Sequence, residues 1–304
     1  MPHSLPELLD LLELERLEVD LYRGRQPDTA LQRVFGGQVA AQALFAACQT
    51  VDRDVAVHSL HSYFLRAGDP AIPIVYDVER IRDGRSFATR RVVARQHGKS
   101  IFYLTASYHV DELGFDHQDS MPSVPAPEDC PHMGDLYRKV TGREDDMSWE
   151  REWAALDVRY AADSRKGGAL AGPDAPARTQ IWLKAAGSVP DDAVLNTCVL
   201  TYASDLTLLG VSLVPHGLII GSRQILPASL DHSMWFHRPF RADQWMLYDQ
   251  HSPSASGGRG FALGRVFTQD GVLVASVAQE GLIRPMGAAR ETLASTRAAA
   301  ESTE

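Results

Sequence analysis

Chemistry in this sequence centres on one acid, Asp205, set in the run DDAVLNTCVLTYASDLTLLG from Asp191 to Gly210. The run reads as an apolar helix: Asp191 and Asp192 supply a capping oxygen and negative charge at its start, and Gly210 sits where helices commonly stop. Val194, Cys198, Thr201 and Tyr202 recur at helical spacing, and Asp205, about three turns past Val194, falls on the same side. An inward carboxylate is costly there. It enters an apolar stripe, it opposes the helix dipole near the C-terminal end, and Asp is a mediocre helix former. Such costs mark functional sites; the alternative is an Asp that is partly exposed or paired with an arginine.

Two polar residues are candidate partners. Leu273, Ala275, Val277 and Gln279 share one face of the last expected strand, and Gln279 is the polar exception on that row. Ser229 opens the first strand after the helix. A carboxylate, a hydroxyl and an amide that converge would hold one water with its lone pair aimed at an electrophile, the carboxylate taking its proton. Each also has a structural reading: Gln279 as an edge residue facing solvent, Ser229 as a hydroxyl bonding nearby backbone.

Other chemistries fit less well. In a strand, Asp231 and Ser233 point one way and His232 the other, so Asp231-His232-Ser233 cannot form a relay, and the G-x-S-x-G turn is absent. His58 and His61 likewise point to opposite faces and make a poor metal pair. The dinucleotide and P-loop glycine patterns are missing. Arg82, Arg85, Arg90, Arg91 and Arg95 surround a hairpin and read as a solvated face with salt bridges or as contacts for the phosphates of an anionic ligand; Arg259 repeats the position of Arg85.

The elements that must position these residues follow in order. A helix capped by Ser4 runs through about Glu13, and Leu14 to Arg23 alternates as one strand. Gly36 and Gly37 open an Ala-rich helix to about Cys48 that is apolar on nearly every side, hence buried all round. Strands follow at Val55 to Leu65, Pro73 to Arg82, Ser86 to Gln96 and Ser100 to Val110, with hairpin turns at Asp83-Gly84 and His97-Gly98. From Asp111 to about Pro176 the pattern dissolves, apart from a few helical turns around Trp149 to Ala162. A strand at Arg178 to Ala186, the Asp191 helix and strands at Ser229 to His237, Trp245 to Ser252, Gly260 to Thr268 and Val272 to Ile283 then restate the first order.

The repetition is visible in letters. Gly84-Arg85-x-Phe87-Ala88-x-x-Arg91-Val92 recurs as Gly258-Arg259-x-Phe261-Ala262-x-x-Arg265-Val266, His61-Ser62 as His232-Ser233, and Gln96-x-Gly98 as Gln269-x-Gly271. This implies a duplication: an N-terminal repeat over 1–111, a connecting segment over 112–176, a C-terminal repeat over 177–287 and an Ala-rich tail over 288–304. No acid between Val34 and Thr50 matches Asp205, so the two repeats share a scaffold and not a chemistry.

Composition narrows the class. A hydrophobic share of 44% and a charged share of 23% are those of a globular protein, and a net charge of −9 argues against a duplex nucleic-acid binder. Cys48, Cys130 and Cys198 are odd in number and lack metal spacing, which fits a reducing interior. The N-terminal residues lack the pattern of a secretory signal, no run of about 18 uninterrupted apolar residues occurs, and the last residues, ESTE, are not of the peroxisomal SKL type; the expectation is a cytoplasmic protein without a membrane span.

VFGGQVAAQAL, YASDLTLLG, SLDHSMWFHRPF and VASVAQEGLIR, in this order, resemble the acyl-CoA thioesterase II family. The resemblance runs from about Leu8 to Arg284. It implies an α+β double hotdog, in which two long helices are each wrapped by an antiparallel sheet and the sheets join side by side. It also implies hydrolysis of fatty acyl-CoA to free acid and CoA without a metal, cofactor or covalent intermediate, and a homodimer or homotetramer. By the same resemblance the catalytic acid is Asp205 in YASDL, the hydroxyl Ser229 where the bacterial type commonly has Thr, and the amide Gln279 in AQEG. Gly36 and Gly37, or a helix N-terminus, are candidate donors to the oxyanion, and Arg82, Arg85 and Arg259 are candidate substrate contacts. A hotdog hydratase or dehydratase is one alternative, though that chemistry usually wants an Asp-His pair and the Asp205 helix holds no His. A non-catalytic acyl-CoA-binding protein is the other.

Overall fold

The computed structural model describes residues 1–52, 54–143, 146–287 and 290–291. The first repeat begins with helix α1 (Leu5–Leu12), whose cap Ser4 accepts a hydrogen bond from the Glu7 N–H, and whose Leu5, Leu8, Leu11 and Leu12 are buried. The single strand expected over Leu14 to Arg23 is instead a short hairpin, β1 (Glu15–Glu18) and β2 (Leu21–Gly24). The chain turns at Asp20, which takes a left-handed φ of 58° and is clamped by both arms of the Arg80 guanidinium at 2.8 Å. Val19, on the alternating apolar row, is 61% exposed. Helix α2 (Gly36–Cys48) follows, with Ala40, Ala41, Ala43, Leu44, Ala46 and Ala47 all fully buried, and then strands β3 (Val55–Phe64), β4 (Ile74–Asp83), β5 (Phe87–Gln96) and β6 (Lys99–Val110).

The stretch between the repeats has more structure than its Pro-rich composition suggests. It carries helices α3 (Met133–Thr141) and α4 (Ser148–Trp153) and then strand β7 (Leu156–Asp163), where only helical turns were expected. β7 pairs with β8 (Ala177–Ala185), so the second repeat's sheet begins upstream of 177. Helix α5 (Ala193–Ser204) is capped by Asp192, whose carboxylate accepts from the Leu195 N–H, while Asp191 faces Arg241. It ends at Ser204, and Gly210 does not stop the apolar run. A 3-10 helix over Leu208–His216 continues it to Gly217, whose left-handed φ of 64° terminates it. The strand expected at Ser229 to His237 is two strands, β9 (Ile225–Ser229) and β10 (Asp231–Phe236), and β11 (Met246–Ser256), β12 (Arg259–Thr268) and β13 (Leu273–Pro285) complete the repeat. The expected Ala-rich tail, 288–304, lies outside the described residues apart from Arg290 and Glu291.

All strands join one antiparallel sheet in the order β1-β2-β4-β5-β6-β3-β10-β13-β12-β11-β8-β7, with β9 pairing to β13 beside that path. The order is a palindrome about the β3–β10 seam, and α2 and α5 pack together in a hydrophobic core that runs through both repeats. This is a double hotdog. The Gly84 and Gly258 letter match is structural, because Ala88 and Ala262 take the same buried place on β5 and β12. The His61-Ser62 match is not. His61 faces outward, whereas His232 is fully buried and sits opposite the buried Ser62.

Register also shows where the repeats diverge. Ala262 stands opposite Gln279, and its counterpart Ala88 stands opposite Tyr108. Between the central helix and the next central strand the first repeat has residues 49–54, and the second has 205–230. Asp205 and Ser229 lie at the two ends of that insertion.

Candidate active site

α5 and α2 pack side by side and antiparallel, so the C-terminal end of α5 lies against the N-terminal end of α2. A methyl at Gly37 would lie 2.3 Å from the Tyr202 carbonyl oxygen, and one at Gly36 would lie 2.5 Å from Asp205 Oδ2, so only glycine permits this approach. α2 starts at Phe35 without a side-chain cap. The Asp205 carboxylate, from the other repeat, accepts the Gly37 N–H and satisfies one of α2's orphan donors. Its charge therefore sits at the positive end of α2 while its backbone caps the negative end of α5.

Ser229 ends β9 opposite Gly281, and Gln279 lies two residues upstream on β13, on the inward row with Ala275 and Val277. Ser229 Oγ donates to Asp205 Oδ1 at 3.1 Å, Gln279 Nε2 donates to the same oxygen, and Gln279 Nε2 lies 3.1 Å from Ser229 Oγ. The three candidate residues thus form one closed triangle. Gln279 is 0% exposed and its Oε1 has no partner, while Asp205 and Ser229 keep partial exposure, so a solvent molecule can reach the pair. Burial pushes the Asp205 carboxyl up from 3.8 to about 6, against the lowering pull of Gln279, Ser229 and the Gly37 N–H. Near neutral pH such a group is ionised and basic enough to take a proton.

Behind the triangle, His232 Nε2 lies 2.8 Å from Ser204 Oγ, its Nδ1 has no partner, and burial holds its pKa down at about 4. It is a neutral imidazole bonded to Ser204 rather than to the carboxylate. The Tyr248 hydroxyl donates to the Ser204 carbonyl at 3.1 Å, and Gln250 Nε2 donates to Thr207 Oγ1 at 2.7 Å. Sequence reasoning missed Gln250, although the signal that found Gln279 was present: it is the polar member of the inward row Met246, Tyr248, Gln250.

The arginines stand apart from the triangle. Arg82 and Arg85 are exposed at the β4–β5 tip, which Arg90 ties to the far end of α2 by bonds to the Arg82 carbonyl (3.0 Å) and to Thr50 (2.8 Å). That is about 20 Å along the helix from Gly36. Arg90 itself is buried, and Arg91 and Arg95 lie 3.9 Å from Glu79 and Asp77 on the surface. Arg259 is exposed on the outer row opposite Leu282 and pairs with Glu280 at 2.9 Å. Gly36 and Gly37 are the only members of the substrate-contact set that the structure brings to Asp205.

Past the C-terminal end of α5 lies a largely apolar cavity of about 330 Å³, lined by Leu206 and Thr207 from the residues just after Asp205 and by Trp149 and Trp153 of α4. The Phe35 ring is edge-on to Trp153 of the cavity wall at 4.9 Å and to Tyr202 at 5.2 Å.

Comparison with known proteins places the chain among acyl-CoA thioesterases. The acyl-CoA thioesterase family model matches residues 150–282, and the acyl-CoA thioesterase N-terminal domain model matches residues 25–109. The chain is 41% identical over 289 residues to acyl-CoA thioesterase 2 of Haemophilus influenzae, covering 93% of this chain and 99% of that protein. It is 43% identical over 287 residues to acyl-coenzyme A thioesterase 8 of Homo sapiens, covering 90% and 88%. Among solved structures, an acyl-CoA thioesterase II from Mycobacterium marinum superposes with a TM-score of 0.78 at 46% identity, covering 92% of this chain and 99% of that one.

Proposed function

The chain belongs to the acyl-CoA thioesterase II family and hydrolyses fatty acyl-CoA to free fatty acid and CoA, and from that premise we propose that Asp205, Ser229 and Gln279 activate the attacking water. The observation that carries this reading is the single oxygen, Asp205 Oδ1, on which the hydroxyl and the amide converge. The carboxylate takes a proton from the water as its oxygen attacks the thioester carbonyl. Ser229 and Gln279 hold the carboxylate, and with it the water, in register.

Attack gives a tetrahedral oxyanion, which we assign to the first turn of α2, where the N–H groups other than that of Gly37, already bonded to Asp205, and the dipole favour negative charge. Collapse expels the CoA thiolate. A thiol of pKa about 8.5 leaves without strong acid help, which suits a site whose His232 is neutral and engaged elsewhere.

Asp205→Asn tests the assignment by thiol release from a long-chain acyl-CoA. A fall of roughly 10²–10⁴ in kcat with an unchanged circular dichroism spectrum is the expected outcome. Full activity in a folded variant would remove Asp205 from the chemistry.

We assign the reaction to cytoplasmic fatty-acid metabolism; the three cysteines, all free, support a reducing compartment. Among the described residues one helical segment, Ala193–His216, is long and apolar enough to cross a membrane, and its most apolar stretch is mostly buried inside the fold. We further assign a homodimer or homotetramer. Support comes from aromatic side chains exposed on the outer face of the seam, where Tyr63 stacks on Tyr103 and Trp235 meets His61 edge-on.

A further inference from the structure

A carboxylate at the end of a helix is only as well placed as the turn that carries it. Helix ends fray, because their last carbonyls have no partner within the helix. Asp205 caps α5, so the base hangs from the least secure part of that element. The end of α5 is nonetheless held by side chains outside the triangle. Ser204 Oγ donates to the Thr201 carbonyl at 2.9 Å, and the Tyr248 hydroxyl donates to the Ser204 carbonyl at 3.1 Å. With its one proton on the Thr201 carbonyl, the Ser204 hydroxyl accepts from His232 Nε2 at 2.8 Å. Past Asp205, Gln250 Nε2 donates to Thr207 Oγ1 at 2.7 Å. The chain is therefore gripped at 204 and 207, on either side of the acid, by Tyr248 and Gln250 from one inward row of β11 and by His232 of β10. The β10 backbone is tied in turn to the first repeat, where Ser62 Oγ donates to the His232 carbonyl at 2.7 Å.

His232 and Gln250 are each 0% exposed, and each keeps one buried polar atom without a partner, Nδ1 and Oε1. An apolar side chain of similar size at either place would avoid that loss. Two such atoms beside one short segment point to the bond that each side chain does make. The triangle draws its bonds to Asp205 from β9 and β13, and these contacts come from β10 and β11, so the two sets are separate. We propose that His232, Tyr248 and Gln250 are positioning residues for the hydrolysis: they act through Asp205, by holding the 204–207 segment so that the carboxylate meets Ser229, Gln279 and the water in one geometry. The proposal rests on the reading that Asp205 is the base. Loosening the segment spares substrate binding and slows the chemical step, since a misplacement of about 1 Å lowers a rate by roughly a hundredfold.

Thiol release from a long-chain acyl-CoA is measured for Tyr248→Phe, which removes one hydroxyl, for His232→Leu and Gln250→Leu, and for His232→Gln, whose amide can donate to Ser204 in place of Nε2. Thermal unfolding is followed on the same samples. The expected result is a fall in kcat of roughly tenfold or more in the first three, with KM within about twofold of the parent's, and recovery by His232→Gln to within about threefold. Each change is then made in Asp205→Asn, where the further fall is expected to stay under about twofold, because no base is left to misplace. Tyr248→Phe keeps the buried ring packed against Gly264 and carries the test should the leucine variants fail to fold. An unchanged kcat in folded Tyr248→Phe, a rise in KM alone, a glutamine no better than leucine at 232, or a full additional loss on an impaired Asp205→Asn overturns the positioning role. Full activity of Asp205→Asn by itself sinks the catalytic assignment instead, so the two failures read differently.

Discussion

Asp205 has a neighbourhood that pulls in two directions. Removing it from water raises its pKa to about 6, while the Gln279 amide, the Ser229 hydroxyl and the Gly37 N–H keep it from rising further. The sign of the resulting pH effects is fixed. In the unfolded chain the group ionises near 3.8, in the fold near 6, so between these values the native state binds more protons and stability falls as pH rises. Activity runs the other way, since only the ionised form takes a proton from water. The limb of kcat/KM on the acid side therefore turns near pH 6. Asp205→Asn is expected to melt at or above the parent's temperature at pH 7.5, with the gap closing toward pH 4. Steady-state profiles and melting curves between pH 4 and 8 check both; a limb below pH 4.5 would mean a well-solvated carboxylate. Asp205 was legible as one costly acid in an apolar run, and Gln279 as one polar residue on an apolar strand row. The Gly37 N–H bond was not, because a backbone donor leaves no trace in residue type.

At the scale of elements, the N-terminus of α2 depends on a carboxylate supplied across the interface between repeats. Gly37→Ala would push a methyl against the Tyr202 carbonyl, 2.3 Å away, and force α2 and α5 apart where they position the base. Overpacking of this kind costs about 1–3 kcal/mol. The expected outcome is a lower melting temperature with kcat reduced more than KM is raised, read by denaturation and steady-state kinetics on one preparation; a change in KM alone would contradict it. α2 and the long strands were readable because their apolar periods are unbroken. β7 was hidden although Leu156, Val158, Tyr160 and Ala162 alternate, since it follows directly on helical and Pro-rich signals. The true end of the α5 segment was misread for a different reason. LLGVSLVPH is apolar throughout, and continuous hydrophobicity does not distinguish an α-helix that stops at a glycine from a 3-10 helix that runs past it.

For the whole molecule, the palindromic sheet makes the chain its own dimer, so further assembly has to use outer surfaces. The aromatic patch at the seam, with Tyr63 50% and Trp235 37% exposed, is the surface expected to close in a homodimer or homotetramer. Sedimentation at micromolar concentration should give twice or four times the chain mass, and Tyr63→Lys with Trp235→Lys should lower it; a monomer throughout would leave the patch without that role. The duplication was visible in the letters of the β4–β5 and β11–β12 hairpins, yet the seam pair His61-Ser62 and His232-Ser233 misled, because equal letters there face opposite sides of the sheet.

Tyr108 stands in the first repeat where Gln279 stands in the second, its ring buried and its hydroxyl beside the Cys48 thiol at 3.5 Å. Two identical subunits related by a rotation axis would carry every substitution twice, so neither cleft could be filled without filling both. Joining the copies into one polypeptide releases them from that constraint: a buried tyrosine occupies the place in one repeat that the amide of Gln279 holds in the other.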